Sequence, residues 1–417
     1  MKTQLRPHPL RLAPPSGRPA APCHAPAPLA LRPIDEAAHL GFLLGRADPE
    51  SVSFLQCPAW ARVKTAWRAE SLGWFEDGQL AGTALVLHRD LPRLPGLGRR
   101  SLAYLPEGPT VDWFGAGRCA ADWLGPLVAH LRAGGAFGVK MGPKLIGRTW
   151  DAAAVKAGMA DPTVAAFAGL PGTSRSASTA RRLADELHLL GWRRHSAPGD
   201  GIVDAQPRHF VRVPLTGRDS ATVHSALDAQ WRRNTRIAER AGVTVWRAGV
   251  AELPVFHDLY VETARRDAFT PRPRTYFELM LRELRAADPD SVRLYLAGVD
   301  GVAAAGAIMV RLGGHAWFAY GASTAERREL RASNALQWRM IQDCIEDGMD
   351  FYDLRGVAET LDPGHRMFGL LRFKIGTGGE LVEYPGEYDL ALDPLLDRLV
   401  RGGMAARSRL RRPPRPR

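Results

Sequence analysis

The 417 residues hold no apolar run approaching the ~18–20 that a membrane-crossing helix needs, so no transmembrane segment is expected. Cysteine is scarce: Cys23, Cys57, Cys119 and Cys344 lie far apart. They form neither a disulfide framework nor a metal-ligand spacing, so no metal is expected and a reducing cytosol suits the chain. The N-terminus is basic but interrupted by proline, without the continuous apolar stretch of a secretion signal. The body also lacks net charge. The total is +12, yet residues 1–33 carry five basic residues and no acid, and 401–417 carry seven arginines and no acid, which leaves 34–400 neutral. A basic nucleic-acid domain of the usual kind is therefore excluded. The two Pro-rich arms are read as disordered tails suited to anionic lipid headgroups or RNA, with simple solubilisation as the alternative.

The chain is long enough for two domains, and 45% hydrophobic residues supply full cores. Asp35 caps an expected helix over 36–45, and another is expected from Trp60 to Ala66. Asp77-Gly78 and Asp300-Gly301 are hairpin turns within strands at 67–88 and 292–310. The first half continues with a strand at 102–106, a helix at 117–133 and a strand at 136–141. After the poorly patterned 146–200 come a strand over 206–215, a helix over 220–241, and helices over 251–266 and 273–287. From 292 the order is hairpin, strand (314–321), long helix (331–348, apolar at Ala335, Trp338, Ile341 and Ile345) and strand (351–354). This is the core order of an α+β, acetyltransferase-like (GNAT) fold, and it occurs twice.

Ordinary members of that superfamily hold coenzyme A on a glycine-bearing turn before the long helix, where backbone N–H groups approach the pyrophosphate. Here the equivalent run is Arg327-Arg328-Glu329-Leu330-Arg331-Ala332-Ser333-Asn334-Ala335, with no glycine and an acid facing the phosphates. Coenzyme A is disfavoured as donor. A different stretch draws attention: Phe368-Gly369-Leu370-Leu371-Arg372-Phe373-Lys374-Ile375, followed by glycines at 376, 378 and 379. Its apolar residues anchor a short helix or extended run. A lysine held by packed neighbours beside a glycine turn presents one positive charge to a ligand whose charge changes during reaction.

The ordered pieces Gln56-Cys57-Pro58-Ala59-Trp60, Tyr104-Leu105-Pro106-Glu107-Gly108-Pro109, Arg233-Asn234-Thr235-Arg236, Arg266-Asp267-Ala268-Phe269 through Tyr276, Tyr320-Gly321-Ala322-Ser323 and Tyr352-Asp353-Leu354-Arg355-Gly356 together resemble the FemABX aminoacyl-tRNA-dependent peptidyltransferases. These enzymes build the interpeptide bridges of peptidoglycan precursors. The resemblance implies a first domain over 34–208 plus 386–400, where the C-terminal segment returns to it, and a second over 209–385. Some members carry a coiled-coil arm in the second domain; Arg233–Gly242 runs directly into Val243, so no arm is expected.

The resemblance further implies that Lys64 and Arg272 grip the precursor's pyrophosphate near Tyr276. Tyr320, with Phe318, lines the peptide channel, and Arg233, Asn234 and Arg236 support the ligand or the fold. Lys374 stabilises the oxyanion and Phe373 shapes the site. Aminoacyl-tRNA is the co-substrate with no other cofactor. The implied partners are the precursor (lipid II or UDP-MurNAc-pentapeptide) and an anionic membrane surface touched peripherally from the cytoplasm, with the protein a monomer. Alternatives are aminoacyl-tRNA-dependent amide formation on a secondary metabolite, a coenzyme A-dependent N-acyltransferase, and a non-catalytic precursor-binding module. The chain departs from the family pattern at two positions. Glu107 stands where an arginine is usual, and Gly142-Pro143 stands where an Asp-Pro pair is usual, with Asp112 or Asp267 as candidate substitutes for the missing acid.

Overall fold

The computed structural model describes residues 27–92, 98–172, 177–194, 206–400 and 402. Most of both basic tails lies outside them. Two mixed sheets carry the architecture. The first runs in the order Ala30–Pro33, Arg68–Glu76, Gln79–Asp90, Ser101–Leu105, Ala136–Met141, Tyr388–Ala391, Arg193–Arg194. The second runs Arg148–Trp150, Glu380–Glu383, His209–Pro214, Phe351–Val357, His315–Ser323, Val302–Leu312, Val292–Val299, Thr244–Ala248. Each sheet has a single parallel step: Ser101–Leu105 beside Ala136–Met141, and His315–Ser323 beside Phe351–Val357. A parallel step needs a crossover, and the helices Ala120–Ala133 and Ala332–Glu346 supply it. The same succession of hairpin, strand, helix and parallel strand thus occurs twice, the two acetyltransferase-like units read from the sequence.

Several boundaries differ from the sequence reading, each for a local reason. Ala30–Pro33, assigned to the N-terminal tail, is an edge strand paired with Arg68–Glu76, and the Arg32 guanidinium lies 3.8 Å from the Phe75 ring centre. The helix expected over 220–241 is two helices, Ser220–Ala226 and Ala229–Arg240. Asp228 breaks it by accepting a hydrogen bond from the Trp231 N–H as an N-cap. The long helix buries Ile341 as anticipated, but otherwise Leu336, Met340 and Cys344, while Ala335, Trp338 and Ile345 stay half-buried. Arg148–Trp150 lies within the stretch assigned to the first domain but pairs with Glu380–Glu383 of the second sheet. Trp150, Val155 and Phe167 pack into the second domain's core, whereas Leu183, Leu187 and Trp192 pack into the first and Arg193–Arg194 joins the first sheet, so the chain visits the second unit over 148–170 and returns to the first before 208. No coiled-coil arm intervenes, since Thr244–Ala248 follows Ala229–Arg240 after three residues.

One core is common to both units. Phe54, Trp60, Leu85 and Leu87 of the first pack with Phe256, Phe277, Ile308 and Trp317 of the second. Each such side chain contributes about 1.5–3 kcal/mol on burial, so the joint is a continuous interior that fixes both halves. Among the described residues no helix is long and apolar enough to cross a membrane, and no cluster of three or more potential metal ligands occurs.

Candidate active site

Two groups of side chains meet at this joint. The first contains the four sequence-assigned binding residues. Lys64 ends the helix Pro58–Val63, with its Nζ 4.6 Å from the Trp60 ring and 5.7 Å from the Tyr276 ring of the other domain. Arg272 precedes the helix Arg274–Arg285, and its guanidinium lies 4.6 Å from the same Tyr276 ring. The Tyr276 hydroxyl is 3.0 Å from that of Tyr320. Neighbouring Arg62 is neutralised by Glu36 and Glu283, whereas Lys64 and Arg272 have no acidic partner among the described residues. Burial, reinforced by the Arg272 charge, lowers the Lys64 ammonium to about 8. Two cations facing one ring without a counter-ion favour an anion between them.

Tyr320 joins this cluster through its hydroxyl, but Phe318 does not. A bulge falls between Ile308↔Tyr320 and Met309↔Phe318. Strand side chains alternate, so the extra residue sends Phe318 to the opposite face, against the second domain's own core. Arg233 and Arg236 are exposed, and Arg236 donates to the Arg232 carbonyl on its own helix. Asn234 donates to the side chain of Asn334 at 3.3 Å.

The second group surrounds Lys374, which belongs to the helix Phe368–Ile375 rather than to a strand. Leu371 and Ile375 anchor one face in the core. The glycines that follow answer specific constraints. A Cβ on Gly376 would meet Trp231 at 2.4 Å, and Gly378 has φ 74° with a carbonyl 2.2 Å from its would-be Cβ. Trp231 Nε1 donates to the Phe373 carbonyl at 2.7 Å, and the two rings lie 4.8 Å apart. Phe373 and Arg372, with Trp231, Asn234 and Asn334, line an open cleft of about 440 Å³. Asn334 is only 5% exposed, and its side-chain N–H₂ has no hydrogen-bond partner among the described residues.

Lys374 is 4% exposed, and its Nζ donates to the carbonyls of Arg355 at 3.2 Å and Gly356 at 2.8 Å. Both carbonyls lie where Phe351–Val357 bulges between Asp353 and Gly356, beyond the end of its parallel pairing to His315–Ser323 at Trp317↔Asp353. Burial brings the ammonium down to about 7, with nearby Asp353 opposing that and Arg355 adding to it. The two groups are linked side chain to side chain. Lys64 faces Trp60, Trp60 meets Phe54 edge-on at 5.2 Å, and the Arg355 guanidinium lies 5.7 Å from Phe54.

Both departures from the family pattern fall beside this link. Glu107 accepts from Ser53 Oγ at 2.6 Å and lies 2.9 Å from the Arg355 guanidinium. Next to Gly142 stands Glu387, 1% exposed, which accepts from the Tyr104 hydroxyl at 2.7 Å. Asp112 instead caps Gly115, and Asp267 pairs with Arg266, so neither takes the place of the missing acid. Sequence reasoning missed Glu387 because it approaches Gly142 from a distant strand.

Doubled acetyltransferase-like sheets, two cations meeting on one ring at their joint and a buried lysine in the second unit are features that fit a two-domain acyltransferase. A FemAB family model matches residues 46–300 and 293–401. The chain belongs to the FemAB family, whose enzymes form amide bonds by acyl transfer. It is 24% identical over 430 residues to the lipid II:glycine glycyltransferase of Staphylococcus saprophyticus, covering 88% of this chain and 94% of that protein. It is 24% identical over 414 residues to the enzyme of the same name from Staphylococcus aureus, covering 83% and 90%. Among solved structures, FemX superposes with a TM-score of 0.72 at 20% identity over 89% of this chain and 99% of FemX.

Proposed function

We propose that the protein transfers an amino acid from aminoacyl-tRNA to the peptide stem of a peptidoglycan precursor, lipid II or UDP-MurNAc-pentapeptide. The observation that carries this reading is the convergence of two unpaired cations, Lys64 and Arg272, from different domains on the Tyr276 ring. A pyrophosphate suits that arrangement, with Tyr276 and Tyr320 beside it for the stem. The stem amine attacks the aminoacyl carbonyl, the new C–N bond forms, and the ester bond to the ribose breaks. The amine proton passes to the departing ribose oxygen, so no protein base is required. The donor ester enters through the cleft at Trp231, Asn334 and Phe373. An ammonium has three donors, and two of those on Lys374 are taken by backbone carbonyls. The third meets the oxyanion, where a positioned donor is worth about 3–4 kcal/mol of barrier.

Donor choice is supported by the turn before Ala332–Glu346. Its left-handed residue is Arg331 (φ 54°) and not glycine, and Glu329 is exposed there, an unfavourable seat for a coenzyme A pyrophosphate. In this reading the protein works as a cytoplasmic monomer, and the arginines of 401–417 hold it at the anionic membrane face. The test is incubation with tRNA charged with labelled amino acids, against acyl-coenzyme A donors, with each precursor. A stem extended by one residue from charged tRNA is expected. Acylation from coenzyme A alone, or precursor binding without transfer, overturns the reading.

A further inference from the structure

Two non-glycine residues with left-handed backbone meet across the domain joint. Glu107 (φ 49°) follows the first-domain strand Ser101–Leu105, and Arg355 (φ 64°) sits in the bulge of the second-domain strand Phe351–Val357. Their charged ends are 2.9 Å apart. A Cβ makes this region of backbone unfavourable, and such residues persist only where their surroundings over-determine them. Those surroundings are present on both sides. Gln56 clamps the turn of Glu107, donating to the Pro106 carbonyl at 2.7 Å and accepting from Leu85 N–H at 2.8 Å. Ser53 holds the other carboxylate oxygen. On the far side, Asp353 accepts from the Arg355 N–H at 2.6 Å, and the guanidinium donates to Gln206 at 3.0 Å.

The left-handed residue Arg355 sits in the break of the ladder between Asp353 and Gly356, and the carbonyls of Arg355 and Gly356 are the two that receive Lys374. We propose that Glu107 and Arg355 are positioning residues for Lys374: the first-domain carboxylate fixes the guanidinium, the guanidinium fixes the bulge, and the bulge's carbonyls aim the ammonium. This rests on the role assigned to Lys374 above. It makes the orientation of a second-domain lysine depend on docking of the first domain, through an acid at a position where the family usually has an arginine. Other charged groups face the same space. Asp353 lies beside His315 at 3.5 Å, and Lys144 donates to the Val52 carbonyl at 2.6 Å.

Glu107→Gln, in the full-length chain, tests the relay. Removing the carboxylate leaves the Arg355 charge balanced by Asp353 alone and loosens two carbonyl acceptors, and both effects weaken proton binding by the lysine. The expected result is kcat reduced about tenfold to a hundredfold with the precursor KM within twofold, and an alkaline limb of the pH–rate profile moved to lower pH. Glu107→Asp, which keeps the charge, restores part of kcat and serves if Glu107→Gln does not fold. A second readout needs no turnover: the pH dependence of Lys374 modification by acetic anhydride, followed by peptide mass spectrometry, shifts downward in the same variant. An unchanged kcat, an unmoved limb in the folded variant, or an unmoved labelling midpoint overturns the relay. Absence of transfer by the wild-type protein overturns the function proposed above and leaves the labelling test standing.

Discussion

Gly142 lies against Glu387: a side-chain carbon at 142 would come 3.4 Å from Glu387 Cγ. The acid usual at the first position is absent here, and a buried acid approaches from the returning C-terminal segment instead. Lys140, on the strand that ends at Met141, lies 3.6 Å from the same carboxylate.

That contact predicts opposite outcomes for two substitutions. Gly142→Ala meets only ordinary van der Waals distance and is expected to change stability by less than about 0.5 kcal/mol. Gly142→Asp sets a second carboxylate against a buried one and is expected to cost about 1–3 kcal/mol, read by urea denaturation. If Gly142→Asp is neutral, the crowding at Glu387 is not as described.

The proposed role of Lys64 and Arg272 makes a prediction about binding separate from chemistry. Lys64→Met and Arg272→Met each remove an unpaired cation, with a charge-assisted hydrogen bond worth about 1.5–3 kcal/mol. Precursor affinity is expected to fall about tenfold to a hundredfold, measured by calorimetry with UDP-MurNAc-pentapeptide, while single-turnover chemistry at saturation changes little. Equal losses in binding and chemistry would place the two cations in the reacting centre.

The pH dependence follows from the Lys374 ammonium at about 7. Only the protonated form donates to an oxyanion, so the rate is expected to decline as pH rises through that value. Lys374→Arg, which keeps its proton, is expected to be slower but without that limb. Stability carries the reverse sign. The unfolded lysine binds its proton up to its ordinary value of 10.5, so between about pH 7 and 10 the unfolded chain holds more protons. The wild type therefore gains stability relative to Lys374→Met as pH rises across that window, by at most about 1.4 kcal/mol per pH unit. A flat difference in denaturation midpoints would mean that the folded lysine titrates normally.

The unpartnered amide of Asn334 predicts a donor-side effect. Asn334→Ala is expected to raise the KM for charged tRNA severalfold and leave the precursor KM unchanged, in steady-state assays varying each substrate. A shift in the precursor KM instead would assign the cleft to the acceptor.

Much of this protein was legible from local rules. Asp77-Gly78 and Asp300-Gly301 dictate tight hairpins, with φ of 47° and 51° at the two aspartates. The order of strands and crossover helix repeats around each hairpin, which defines the doubled fold. Lys64, Arg272, Tyr276 and Tyr320 are what the family resemblance implies as binding residues, and they lie together. What failed was information that spacing cannot hold. Period-two alternation puts Phe318 with Tyr320, but a one-residue bulge, visible only in the register with Val302–Leu312, separates them. The helix over 220–241 was continuous by pattern and broken by one capping aspartate.

The sequence by itself determined the two folding units, the neutral body between basic arms, and the identity of the cations that meet at Tyr276. Only the tertiary structure decided the environment of Lys374. Its position in a helix, its burial and its two carbonyl acceptors depend on a bulge nineteen residues away and on an acid in the other domain. A side chain's type is local, but its solvation and its partners are set by what packs against it, and those groups come from distant parts of the chain.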